Sequence, residues 1–270
     1  MIVFITTGYN ENVIGGSDLW VSNFIENIFP LIKEKFVLLI DGRPLVNRKE
    51  DFYKLYTFEN DGKVDALLES CDKIVFLHHS YKPNPIIKKY LHKTHTTFVH
   101  AFIPDMMGLN SDYENIMTKI DWEWQKEILD NSDNIIWIGY ENDTIHESYP
   151  HVINITNYYE WKESKPFLGI ITNKVGYAAR CETRKNAPFG YAIFDAVDNG
   201  KIPIIHTEWM KHIDYKYRAG SKGEFHQRYL KILEDDFNTI NLEFSKLRDG
   251  LTKYINKQNW VTEICKVLSI

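Results

Sequence analysis

Three cations, Arg180, Arg184 and Lys185, follow closely on Val175 to Ala179, a run that reads as a strand. Fixed positive charge is what a departing diphosphate needs, because negative charge grows there as its bond breaks. Arg offers a planar fork to phosphate oxygens and Lys a point charge. A solvated basic turn would have the same composition. Ten residues on, Asp195 is an acid carried on an apolar helical stretch, Ala192 to Asp198, which the glycine Gly200 ends. A carboxylate so placed can accept hydrogen bonds from both hydroxyls of a ribose. A capped helix with an exposed Asp would read alike. The histidines His78, His79, His92, His95 and His100 gather in one region without the spacing of a zinc motif. His100 stands out because it follows a buried strand, where a base could work. Asp105 lies five residues further on and is the second candidate base.

Two further features bear on phosphate. Gly15-Gly16 lets backbone amides approach a ligand, and the helix that follows favours an anion at its N-terminus. The pair lacks the G-x-G-x-x-G and P-loop patterns, and a plain tight turn needs no ligand. Lys82, Lys88, Lys89 and Lys93, with His92 and His95, form a basic run suited to the phosphates of double-stranded DNA. The same lysines would also suit a solvated helix face. No two aspartates are separated by a single residue, so an Asp-x-Asp metal site is absent. Neither a metal nor a resident cofactor is expected.

The elements that must position these groups alternate. Buried strands are expected at Ile2–Thr7, Phe36–Ile40, Lys73–Leu77, Thr96–Phe102, Ile135–Ile138 and Val152–Ile155. Helical spacing appears at Asp18–Phe29, Lys63–Ser70, Pro85–Leu91 and Tyr113–Asn131. Strands alternating with helices indicate an α/β fold, a mostly parallel sheet with helices on both faces. A second series begins near residue 166, with strands at 168–171, 175–179 and Ile202–Ile205. Its helices are expected at Ala192–Asp198, Phe225–Leu233, Leu242–Tyr254 and Trp260–Leu268. The expected division is 1–157 for an acceptor-side domain, 158–250 for a donor-nucleotide domain, and 251–270 for a helix returning to the first. In such sheets ligands bind beyond the carboxyl ends of the strands, which selects the Gly15, His78, His100 and 176–186 regions.

Charge is unevenly spread. Residues 1–160 carry 14 basic and 24 acidic side chains, net -10, while residues 161–270 carry 18 and 13, net +5. The second part is the better home for a phosphate-bearing ligand. Three isolated cysteines exclude a disulfide framework and fit a reducing, cytoplasmic setting. No leader-like N-terminus and no run of about 20 apolar residues occur, so no membrane association is expected.

Taken together these segments resemble the GT-B glycosyltransferases, and within them the DNA glucosyltransferases of T-even phages. The resemblance covers most of the chain. Gly15-Gly16 is similar to the family's first glycine loop. The stretch from Cys71 to His100 is similar to the strand-helix-strand that ends in a catalytic-site histidine. Arg180 and Lys185, spaced R-x4-K, resemble the pair that holds the donor diphosphate. Phe189 to Ile205 resembles the segment whose acid, here Asp195, holds the nucleoside ribose. The likeness implies two Rossmann-like domains, the second one shortened, and transfer of glucose from UDP-glucose without a metal. It implies as acceptor a hydroxyl, such as that of glucosylated hydroxymethylcytosine in DNA. It also implies that His100→Ala lowers turnover by roughly 10²–10⁴-fold if His100 is the base.

Two departures stand against the pattern. The family's Glu-x7-Glu is here Ala187 and the shorter Asp195, and only Asn186-Ala187-Pro188 separates the R-x4-K loop from the ribose-acid segment. Such shortening removes much of the usual nucleobase pocket. A degenerate module that binds nucleotide or DNA without catalysis, and a transferase acting on a cell-surface glycan, are therefore the alternatives.

Overall fold

The computed structural model describes residues 1–7, 16–41, 55–57, 61–78, 83–100, 102, 116–139, 143–161, 191–207 and 210–270. The chain divides into two units. One comprises Met1–Ile138, Asp143–Ile155 and Val261–Ile270, the other Gly139–Asn142 and Thr156–Trp260.

Among the described residues the first unit is built on seven strands: β1 (Ile2–Thr7), β2 (Phe36–Asp41), β3 (Leu55–Thr57), β4 (Lys73–Phe76), β5 (His95–Val99), β6 (Asn134–Ile138) and β7 (Ile153–Ile155). They lie in the order β3-β2-β1-β4-β5-β6-β7, and every pairing is parallel. The order reverses between β1 and β4, which is the point where ligands gather in doubly wound sheets. Both faces are covered. Val3 and Ile5 of β1 pack with Val64 and Leu68 of α2 (Asp61–Ser70), Ile87 of α3 (Pro85–Lys89) and Ile128 of α4 (Ile116–Asp130). The neighbouring β1 residue Phe4 points the other way, onto Phe24 of α1 (Gly16–Asn27) and onto Phe29. This is the period-2 alternation of a strand buried on two sides. The α/β reading with helices on both faces is the observed fold.

Local chemistry sets the helix starts. Asn84 accepts from the amides of Ile86 and Ile87, with Pro85 in the first turn, where its missing N–H costs nothing. Helix α5 (Asp143–Ser148) and strand β3 were not expected from the sequence; at six and three residues they are too short to show a period.

The second unit contains α6 (Tyr191–Asp198), β8 (Ile205–His206), β9 (Arg218–Ala219), α7 (Lys222–Glu234) and α8 (Phe237–Thr252). Helix α9 (Lys257–Leu268) begins in this unit, and its residues from Val261 belong to the first. Helix α6 ends at Gly200, whose φ of 68° lies in the left-handed region. The amides of Gly200 and Lys201 reach back to the carbonyls of Val197 and Ala196, a Schellman closure. Beyond it, the strand expected over Ile202–Ile205 shrinks to the Ile205–His206 pairing with β9. Pro203 lacks an amide, and Ile202 and Ile204 are buried by packing rather than by a ladder. The expected strands at 168–171 and 175–179 lie outside the described residues.

Candidate functional site

In the first unit the carboxyl ends of β4 and β5 bring His78 and His100 together. Their rings are stacked, 5.2 Å between centroids and 21° apart in plane. Trp20 of α1 meets His100 edge-on at 4.8 Å. One carbonyl organises the group: Leu77 O accepts from the Trp20 indole N–H at 2.9 Å and lies 3.0 Å from His100 Nε2. A carbonyl can only accept, so His100 carries its hydrogen on Nε2 and its lone pair on Nδ1. Burial drives the His100 pKa down to about 3, and the neighbouring His78 pushes the same way against the Leu77 bond. The ring is therefore neutral at ordinary pH. It can accept a hydrogen bond or a proton only through Nδ1.

His95, in the same histidine-rich stretch, serves structure instead. It is fully buried, with Nδ1 2.9 Å from Lys93 O and Nε2 3.0 Å from Ile128 O, joining the β5 entry to α4.

The lysines proposed for DNA have partners within the first unit. Lys88 pairs with Glu127 at 2.8 Å and Lys89 with Asp65 at 3.1 Å. Lys93 donates to the carbonyls of Cys71 and Glu69. A phosphate must compete with those groups. Lys82 lies outside the described residues.

In the second unit Asp195 stands on α6, half-buried, beside segment 157–161. Tyr159 donates its hydroxyl to Asp195 Oδ1 at 2.8 Å and lies 3.3 Å from Asp198 Oδ2. Burial foremost, then the Asp195 bond and both carboxylate charges, raise the Tyr159 pKa far above its ordinary value, so it remains a donor. In the sequence Tyr158-Tyr159 is simply a pair of adjacent aromatics. Nothing in their spacing tied either ring to Asp195, 36 positions away. Trp20 was legible only as an apolar helix position.

Gly16 is the first residue of α1, after the β1 strand that borders the order reversal. Gly15, Asp105, Arg180 and Lys185 lie outside the described residues, and so does the convergence of Arg180 and Lys185 on Asp195. Among the described residues no group of three or more His, Cys, Asp or Glu side chains is placed to hold a metal ion. No described helix is long and apolar enough to cross a membrane.

No protein-family model matches the chain, and no curated protein matches it in sequence. A solved structure described as "alpha-glucosyltransferase (AGT) in complex with UDP" matches over 99% of this chain and 100% of that one. The TM-score is 0.55 and the sequence identity 10%. At that identity the likeness concerns the fold: this chain has an α/β fold similar to that of a GT-B glucosyltransferase.

Proposed function

We propose that the chain is a glycosyltransferase that moves a hexosyl group from a UDP-sugar to an acceptor hydroxyl. The observation that carries this reading is the fold likeness of nearly the whole chain to a glucosyltransferase solved with UDP. In this reading Arg180, Lys185 and the amides of Gly15 and Gly16 hold the diphosphate, and Asp195 holds the ribose. The acceptor oxygen bonds to the anomeric carbon while the bond from that carbon to the diphosphate oxygen breaks. UDP leaves with the electron pair, its new charge met by Arg180 and Lys185. In an inverting transfer the acceptor proton passes to a base, either Nδ1 of His100 or the carboxylate of Asp105. Glucose is the proposed sugar, and no metal enters the reaction.

The proposed acceptor is glucosylated hydroxymethylcytosine in double-stranded DNA. The pairing of Lys88 and Lys89 with acids, in a region of net charge -10, favours a second acceptor class, a neutral glycan. Incubation with labelled UDP-glucose and each acceptor tests both. Label in DNA, weakened by salt, supports the first, and salt-insensitive label in glycan supports the second. UDP binding with neither transfer nor donor hydrolysis would reduce the chain to a nucleotide-binding module, as Ala187 would suit. Absence of UDP binding would sink the proposal.

A further inference from the structure

Segment 157–161 holds a phenol in place against α6. The Tyr159 ring stacks on Phe194, 5.2 Å between centroids and 27° apart in plane. Trp161 packs on both rings, and the Arg248 guanidinium lies 5.7 Å from the Trp161 centroid. Asn157 donates to the Tyr191 hydroxyl, joining the same segment to the first residue of α6. With its ring clamped, the Tyr159 hydroxyl has little freedom. It meets two carboxylates three residues apart on one helix face, Asp195 at 2.8 Å and Asp198 at 3.3 Å. Asp198 is buried, so its charge is poorly screened. Without a hydrogen between them, two such carboxylates repel.

We infer that Tyr159 is a positioning residue of the nucleotide site, its hydroxyl holding Asp195 by Oδ1 so that Oδ2 accepts from a ribose hydroxyl. The inference rests on the reading of Asp195 as the ribose acid. Among the described residues the Tyr159 bond is the side-chain contact that sets the direction of the Asp195 carboxylate. An ionised carboxylate accepts a hydroxyl about twice as strongly as a neutral group. Recognition of the 2′-hydroxyl should therefore depend on a tyrosine that does not itself touch the nucleotide.

The test is calorimetric titration of the full chain with UDP and with 2′-deoxy-UDP. The wild type should bind UDP about tenfold more tightly than the deoxy form, the worth of one hydrogen bond to a charged group. Asp195→Asn should bring the two affinities together. Tyr159→Phe, which keeps the ring and its stack, should shrink the preference to within about threefold while affinity for the deoxy form barely changes. Asp198→Asn, whose neutral amide oxygen competes less for the phenolic hydrogen, should keep or enlarge the preference. This variant decides the matter even if Tyr159→Phe fails to fold, since a preference lost there contradicts the assignment. Unchanged preference in Tyr159→Phe, with loss in Asp195→Asn, would overturn the inference and leave the ribose reading intact. No preference in the wild type would remove the 2′-hydroxyl role of Asp195, and the inference with it.

Discussion

Replacing His100 with glutamine should flatten the acid side of the stability curve, and the size of the effect follows from the ring's surroundings. In the native state the imidazole stays neutral down to about pH 3, because burial and His78 oppose its charge. In the unfolded chain the same ring takes up its proton near pH 6.5. Between those values the unfolded state binds one more proton than the native state, so stability rises with pH and is lost on acidification. The contribution is complete above pH 6.5, falls as pH drops through that value, and stops changing near pH 3. Each pH unit inside the window is worth at most about 1.4 kcal/mol. Acidifying from pH 7 to pH 5 therefore removes about 2 kcal/mol through this one group. The whole window would amount to about 5 kcal/mol, a ceiling because the ring keeps some exposure.

Glutamine has a donor for Leu77 O and does not titrate. Urea unfolding followed by circular dichroism at pH 5, 6 and 7, at one ionic strength, gives the comparison. Groups other than His78, which stacks on this ring, titrate alike in both proteins and cancel in the difference. The gap between wild type and His100→Gln should shift by about 2 kcal/mol in favour of the variant from pH 7 to pH 5. Parallel curves would mean that the native ring protonates as easily as the unfolded one, and the neutral Nε2–H assignment would be wrong.

Gly250→Ala should destabilise by about 1–3 kcal/mol by thermal melting, since overpacking outweighs the gain in helix propensity. An added Cβ would stand 2.7 to 3.0 Å from three carbons of the buried Ile213 side chain, and in an Ile213→Ala background the same glycine change should cost much less. Gly200→Ala should cost about 1–2 kcal/mol through its left-handed backbone, with Gly200→Asn milder; equal melting of all three proteins would refute the Schellman closure. Lys88→Ala with Lys89→Ala should change stability by less than about 1 kcal/mol, because both ion pairs are exposed. If those lysines nonetheless hold DNA, the double variant should reduce the salt slope of binding by about two charges.

The parallel sheet was legible because its strands are buried on both faces. Runs such as Ile2-Val3-Phe4-Ile5 are apolar throughout and followed by polar Thr6-Thr7, and the chain forms β1 there. The carboxyl-end rule then singled out His100, which follows β5 directly. What the sequence could not show was the environment of that histidine. Trp20 lies 80 positions away and reaches His100 only because α1 folds back across the sheet. Leu77 takes part through its carbonyl, a group that side-chain identity does not reveal. The basic run was legible, but its partners were not: Asp65 and Glu127, on α2 and α4, pair with Lys89 and Lys88 through contacts that depend on the fold. Asp195 was visible as a helix acid, whereas Tyr159 lay in a segment with no periodicity to place it against α6.

The depressed basicity of His100 also bears on which group takes the acceptor proton. General-base help reaches about 10²–10⁴-fold when the base has a pKa near the working pH. A ring that protonates only near pH 3 lies well below that range at neutral pH. Its affinity for the proton is weakened by burial and His78 together. Under the proposed function His100→Gln should therefore lower turnover by less than about 100-fold, with Asp105→Asn, the other candidate base, measured beside it. Steady-state rates with a single donor and acceptor decide the order, with UDP affinity measured alongside to separate binding from chemistry. A larger loss in His100→Gln would mean that bound substrate raises the pKa of Nδ1. A bound anion beside the imidazole would have that effect, since it favours the protonated form.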